Sequence, residues 1–331
     1  MSSEFRQDMV SGYWVLVATG RSKRPHAMQS RQPNYQTPQE CVFENPIQSG
    51  NQPIAVYPYE AGDKWKVMVI DNKYPAVTPG GCDPMTMREG YSVIEGNGNH
   101  EIVITRDHDR TFAEFSVEEI RDVLAAYRQR YRDMAQYECG DYIIIFHNYG
   151  REGGASVYHP HSQIISLPIL PPDVARSIRG AEIYYNKFRK EVYGVMIANE
   201  MSHKKRLVYE NQFYVALCPF VSKIPYEVRI YPRRQNPHFE LTDDSELLYI
   251  ADILGAVLRK IKKALNDPAY NFFIHTAPVR ENSRDLPSSE FYRWHIEVLP
   301  RIKFDAGFEA GTGIEMNIVD PDEAADLLRK A

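Results

Sequence analysis

Two histidines one proline apart, His159 and His161, stand between a glycine- and serine-bearing run, Gly150 to Ser156, and Gln163. In an extended segment alternate side chains share a face, so His159, His161 and Gln163 are expected to point the same way. An imidazole held through one ring nitrogen by a backbone carbonyl presents the other as a nucleophile, here toward phosphorus. The backbone N–H groups of a glycine-rich loop suit phosphate oxygens. A bare His-x-His is common among ordinary strands, and it is the loop before it and the glutamine after it that make Asn148 to Pro168 a candidate phosphate site.

The chain that must position this stretch has 331 residues, 43% of them apolar, enough for two domains or one large double unit. A net charge of −5 argues against a nucleic-acid surface, which would carry a basic stripe. The cysteines Cys41, Cys82, Cys139 and Cys218 are scattered, with no C-x-x-C pair, so no disulfide framework is expected and the cytoplasm is the expected location. The first residues lack a basic region followed by an apolar core, and no apolar run has membrane-spanning length.

Taken in order, Tyr13 to Ala18 reads as a strand leading into the cations Arg21, Lys23 and Arg24. Residues 29 to 52 are polar and loop-like, Lys66 to Ile70 is a strand, and Pro79 to His100 is again loop-like. An internal repeat then sets the architecture. Glu101 to Ser116 and Glu227 to Thr242 have equal length, each opening on an alternating apolar strand. They close alike, on Glu114-Phe115-Ser116 and Glu240-Leu241-Thr242.

A long amphipathic helix follows each block. In the first, Ser116 and Glu119 form a capping box and Ile120, Val123, Leu124, Tyr127 and Tyr131 recur at helical spacing. In the second, Leu247, Ile250, Ile253, Leu254, Val257, Leu258 and Ile261 do so. Two strands match next, Tyr142 to His147 with Tyr270 to His275, and the segments ending at Pro168 and Pro300 close the repeat. The fold expected is α+β, two copies of an antiparallel sheet packed by a long helix, with boundaries at 1–185 and 186–331. Only the first copy is armed, because Arg293 and His295 stand at the positions of His161 and Gln163.

The pattern N-x-G…G-x-S-x-x-H-P-H-x-Q, from Asn148 to Gln163, resembles that of the galactose-1-phosphate uridylyltransferase family, the transferase branch of the histidine-triad superfamily. The resemblance implies the histidine-triad fold in duplicate, a covalent nucleotidyl-His161, and Gln163 steadying the phosphoryl group. Hydrolases of the superfamily carry a third histidine where Gln163 stands, which favours transfer. The resemblance further implies Asn148, Gly154, Ser156, Arg21 and Arg24 around phosphate, Asn72 at the ribose, and Lys303, Phe304 and Glu309 at the hexose.

A structural zinc is implied at Cys41, Glu44, His108 and His159, with Glu44 where the family has a second cysteine. An iron site of some members is matched at His275 and His295 but has Glu297 at a third position and no counterpart for its first-half Glu, so iron is expected to be absent. The implied reaction is UDP-glucose plus galactose 1-phosphate giving glucose 1-phosphate plus UDP-galactose, in a homodimer, with no nucleic-acid or membrane partner. Lys73, where the family has Asp beside the ribose Asn, and the run Gly311-Thr312-Gly313 leave open an adenylyl-transferring phosphorylase that uses ADP-glucose and inorganic phosphate. A non-catalytic nucleotide sensor is a third reading, opposed by retention of His161, Gln163 and Asn148.

Overall fold

Strands that are apolar on both faces need cover on both, and in the computed structural model the strands of the two halves join into one sheet. The structure describes residues 3–23, 35–57, 65–82, 84–137, 140–280, 289–303 and 306–331. Arg24 and Phe304 lie outside them.

The strands of the first half are β1 (Glu4–Gln7), β2 (Trp14–Val17), β3 (Pro53–Tyr57), β4 (Val67–Asp71), β5 (Thr86–Arg88), β6 (Tyr91–Val93), β7 (His100–Thr105), β8 (Tyr142–Tyr149) and β9 (His161–Leu167). Helix α1 (Val117–Met134) lies between β7 and β8. Two helices, α2 (Pro172–Phe188) and α3 (Val192–His203), lead into the second half. There β10 (Leu207–Glu210), β11 (Tyr214–Leu217), β12 (Val228–Pro232), α4 (Asp244–Leu265), β13 (Tyr270–His275) and β14 (His295–Pro300) follow. The chain closes with α5 (Gly307–Thr312), β15 (Glu315–Asn317) and α6 (Pro321–Lys330).

The main sheet is antiparallel throughout, in the order β10-β11-β12-β14-β13-β8-β9-β7-β4-β3. Read outward from the β13/β8 seam, the halves are the same sequence of elements. The repeat therefore extends to β3 and β4, whose partners β10 and β11 the sequence pattern did not reveal. The expected boundary at 185 falls inside α2, and the two units share one continuous sheet rather than separate cores.

The cap read for the first long helix holds, whereas the stretch Pro79 to His100, read as loop-like, contains the short hairpin β5/β6. Ser116 Oγ accepts from Glu119 N at 3.2 Å while Ser116 N donates to Glu119 Oε2 at 2.8 Å. The second long helix is capped one residue later than Thr242, by Asp243 with Glu246. On one face of the sheet, α1 and α4 cover Val103, Ile143, Ile164, Phe272, Ile296 and Val298. Burying each such side chain contributes roughly 1.5–3 kcal/mol. Period two puts Ile102 and Ile104 on the other face, in a smaller cluster with Cys41, Phe43, Trp65, Met68 and Ile70. That second face carries the site.

Cys82 is disulfide-bonded, against the expectation of no disulfide, whereas Cys41 and Cys218 are free. Pairing depends on the approach of Cα atoms in the fold, which spacing along the chain does not encode. Among the described residues no helix is long and apolar enough to cross a membrane.

Candidate active site

Strand β9 starts at His161, so the two-residue period governs His161 and Gln163, which pair with Ile104 and Ile102 of β7 and share their face. His159 lies in the bend before the strand and turns elsewhere. Ser162 faces the helices, in contact with the Tyr127 hydroxyl and 3.1 Å from His147 Nδ1.

His161 Nδ1 lies 2.8 Å from the carbonyl oxygen of His159. A carbonyl only accepts, so Nδ1 carries the proton and Nε2 the free lone pair. The ring is buried against Phe43, centroids 5.0 Å apart. Burial holds the imidazole below its usual pKa, opposed by the His159 carbonyl. The result is a neutral imidazole of defined tautomer with its Nε2 lone pair free.

Two clefts meet beside it. One, of about 300 Å³, is lined by His161, Gln163, Asn72, Lys73, Phe43 and Ser156. The other, of about 370 Å³, is lined by Asn148, Gly150, Arg151, Gly154, Ser156 and Tyr158. Both are of small-ligand size, and Ser156 and Val157 belong to both.

The glycine loop differs from expectation. Gly153 and Ala155 donate to Gly150 O, and Gly154 donates to Arg151 O, so these amides serve the loop's own turns. Gly150 and Gly154 have φ of +75° and +85°, which a side chain would strain. The amides of Ser156 and Val157, which line both clefts, have no backbone partner among the described residues. A loop of this shape aims its donors past the glycines.

Asn148 Oδ1 accepts from Asn271 Nδ2 at 2.7 Å, and the same Asn271 nitrogen lies 2.6 Å from Gly153 O. Asn271 thus ties the loop to β13 of the second half. It escaped the sequence reading, since a single Asn in an apolar strand carries no motif. His100 escaped it too; its Nε2 lies 2.8 Å from Gln163 Oε1.

Cys41, His108 and His159 form a buried group able to hold a metal ion. His159 Nδ1 is 3.2 Å from His108 Nδ1 and 3.6 Å from Cys41 Sγ. Nitrogen and sulfur ligands of a tetrahedral ion stand about 3.3 and 3.5 Å apart. Glu44 Oε2 lies 3.7 Å from His108 Nδ1 and 3.9 Å from His159 Nδ1, buried and without a hydrogen-bond partner. Its other oxygen takes Arg106 at 2.8 Å. Burial lowers the His159 pKa to about 4, so it stands as a neutral ligand. The donor set fits a metal.

Other expected residues lie apart. Arg21 is exposed in the turn Thr19–Lys23 and lines neither cleft. Lys303 and Glu309 line neither cleft and pair with each other at 2.5 Å, while Glu309 Oε2 also accepts from Ala306 N at the start of α5.

In the second half His275, His295 and Glu297 gather as a potential ligand group. Glu297 Oε1 is already 3.0 Å from Arg229 Nε, inside the sheet, and a cation there would share its one carboxylate with a buried guanidinium. This set does not fit an iron site.

The model "Galactose-1-phosphate uridyl transferase, N-terminal domain" matches residues 1–171, and "Domain of unknown function (DUF4921)" matches 96–331. The chain is 33% identical to the ADP-glucose phosphorylase of Arabidopsis thaliana, over 99% of this chain and 93% of that protein. It is 30% identical to the galactose-1-phosphate uridylyltransferase of Thermotoga maritima, over 99% and 98%. The crystal structure of the Arabidopsis thaliana ADP-glucose phosphorylase with bound ADP-glucose superposes with a TM-score of 0.84 at 29% identity, covering 100% of this chain and 99% of that one.

The chain belongs to the galactose-1-phosphate uridylyltransferase family, the transferase branch of the histidine-triad superfamily. It is an enzyme of that family's nucleotidyltransferase and phosphorylase chemistry.

Proposed function

We propose that the chain moves an adenylyl group from ADP-glucose to inorganic phosphate through a covalent nucleotidyl-His161. The observation that carries the covalent step is the bond from His161 Nδ1 to His159 O, which leaves the Nε2 lone pair free. Nε2 attacks the α-phosphorus, the bond to the glucose 1-phosphate oxygen breaks, and glucose 1-phosphate leaves. Phosphate then attacks the same phosphorus, the N–P bond breaks, and ADP leaves with His161 restored. Two displacements of one kind give ping-pong kinetics. Donors near the reacting phosphorus spread its charge, and we assign Gln163, Ser156 and Asn148 to that role, with Gly154 shaping the wall of the phosphate region and Asn72 toward the ribose.

The preference for adenine rests on the 33% identity to the Arabidopsis thaliana phosphorylase and on Lys73 in place of the family's Asp. This departs from the exchange between UDP-glucose and galactose 1-phosphate that the motif implied. The Thermotoga maritima relative, at 30% identity, favours that exchange as the second reading. The metal proposed for Cys41, Glu44, His108 and His159 is zinc, which suits nitrogen, sulfur and carboxylate ligands. When bound it would supply a structural cross-link, and the residues themselves set the His159 carbonyl against His161. As in the expectation from sequence, the assembly proposed is a homodimer.

Intact-mass measurement after mixing with ADP-glucose or UDP-glucose tests the reading. An AMP increment on His161, released as ADP by phosphate, is expected. A UMP increment released by galactose 1-phosphate would establish the second reading. An active protein with no increment would overturn the covalent mechanism.

A further inference from the structure

His100 opens β7 on the site face, diagonal to Gln163 across the β7/β9 ladder, and it is buried. Its Nδ1 lies 3.0 Å from the backbone nitrogen of Ala76. A backbone N–H only donates, so Nδ1 is the acceptor and the neutral ring carries its single proton on Nε2. Two groups approach that nitrogen, Gln163 Oε1 at 2.8 Å and Asn72 Nδ2 at 3.1 Å. Asn72 Oδ1 already accepts from Tyr74 N at 2.9 Å, which identifies Asn72 Nδ2 as a donor unable to compete for the proton. The proton therefore goes to Gln163 Oε1.

A glutamine amide has one accepting and one donating end, and only the donor favours an anionic phosphoryl oxygen. With its oxygen engaged by His100, Gln163 keeps its NH2 group for the cleft it shares with His161. A free amide could turn and set its oxygen against the phosphoryl oxygens. We infer that His100 is a positioning residue for nucleotidyl transfer, fixing the rotamer and amide orientation of Gln163 through the bond from its Nε2. The inference rests on the covalent reading proposed above and adds to it a residue outside the family motif.

The test is the pre-steady-state rate of His161 adduct formation in the wild type, His100→Leu, Gln163→Ala and the double variant, with the nucleotide-sugar Kd measured for each. Loss of an outer group that orients a metal-ligating side chain typically costs about 10- to 100-fold in affinity or activity, and a loss of that order is expected for a group that orients Gln163. His100→Leu is expected to slow adduct formation by that much while Kd changes far less, and to add nothing in the Gln163→Ala background. A slowing as large in the Gln163→Ala background as in the wild type overturns the inference. Should His100→Leu fail to fold, His100→Gln against His100→Asn carries the same comparison, because Gln reaches the Nε2 position and Asn only the Nδ1 position. His100→Gln is expected to be the faster, and equal rates overturn the inference. A wild type that turns over and forms no adduct removes the covalent reading itself, and this inference with it.

Discussion

His108 Nδ1 and His159 Nδ1 face each other at 3.2 Å, while each ring gives its Nε2 proton to a backbone carbonyl, Gln36 O at 2.7 Å and Thr105 O at 2.6 Å. Two lone pairs thus converge in a buried space that also contains Cys41 Sγ and one oxygen of Glu44. Carbonyl-anchored histidines of this kind are the usual outer arrangement of a metal site, and lone pairs so close repel unless a cation lies between them.

Metal analysis of purified protein should accordingly find one zinc per chain. Removal by a chelator is expected to lower the melting temperature, since the site joins the Cys41 turn, the His108 turn and the bend before β9. His108→Ala should lose the metal, and Glu44→Cys should retain it at chelator concentrations that strip the wild type. Fully active, fully stable protein without zinc would exclude the site.

The free Nε2 of His161 makes its own prediction. His161→Ala should abolish transfer with either nucleotide sugar. In His161→Gly, imidazole added in solution should restore part of the first half-reaction, because the missing ring can enter the space left behind Phe43. Release of glucose 1-phosphate as a function of imidazole concentration measures this.

Asn271 is buried and holds both Asn148 Oδ1 and Gly153 O. Asn271→Ala leaves those acceptors without their donor, at a cost of about 1–3 kcal/mol each where they stay dry. Urea denaturation should show a lower midpoint with an unchanged slope. Because the loop lines one cleft, KM for the acceptor is expected to rise more than the rate of adduct formation falls.

His147 is buried, stacked on Phe272 at 5.0 Å, and its burial lowers its pKa to about 3. The unfolded chain takes up this proton near pH 6.5 and the folded protein does not. Its contribution to stability is therefore fully present above pH 6.5 and is lost as pH falls toward 3, at about 1.4 kcal/mol per pH unit. Between pH 7 and pH 5 the wild type should lose roughly 2 kcal/mol more than His147→Phe. Denaturant titrations at the two pH values decide it, and equal losses would show that His147 is not held neutral.

What the sequence determined by itself was whatever repeats or caps over a few residues. The Ser116 and Glu119 box, the stripe from Ile120 to Tyr131, the strands around Tyr142, Tyr270 and His161, and the duplication behind them all follow from short-range sterics and burial periodicity. The identity of the HPH stretch as a phosphate-chemistry candidate was legible for the same reason, its residues being contiguous.

Tertiary structure decided the rest. Cys41 meets His159 across 118 positions of sequence, and Asn148 meets Asn271 across 123. No local pattern signals such approaches, because strand order and register create them. The same register brought an unremarked His100 to Gln163, bent His159 away from His161, and engaged the Gly153 and Gly154 amides in the loop's own turns. A side chain's type is written in the chain, but its hydrogen-bond partner, and hence its tautomer and role, depends on which distant backbone the sheet sets beside it.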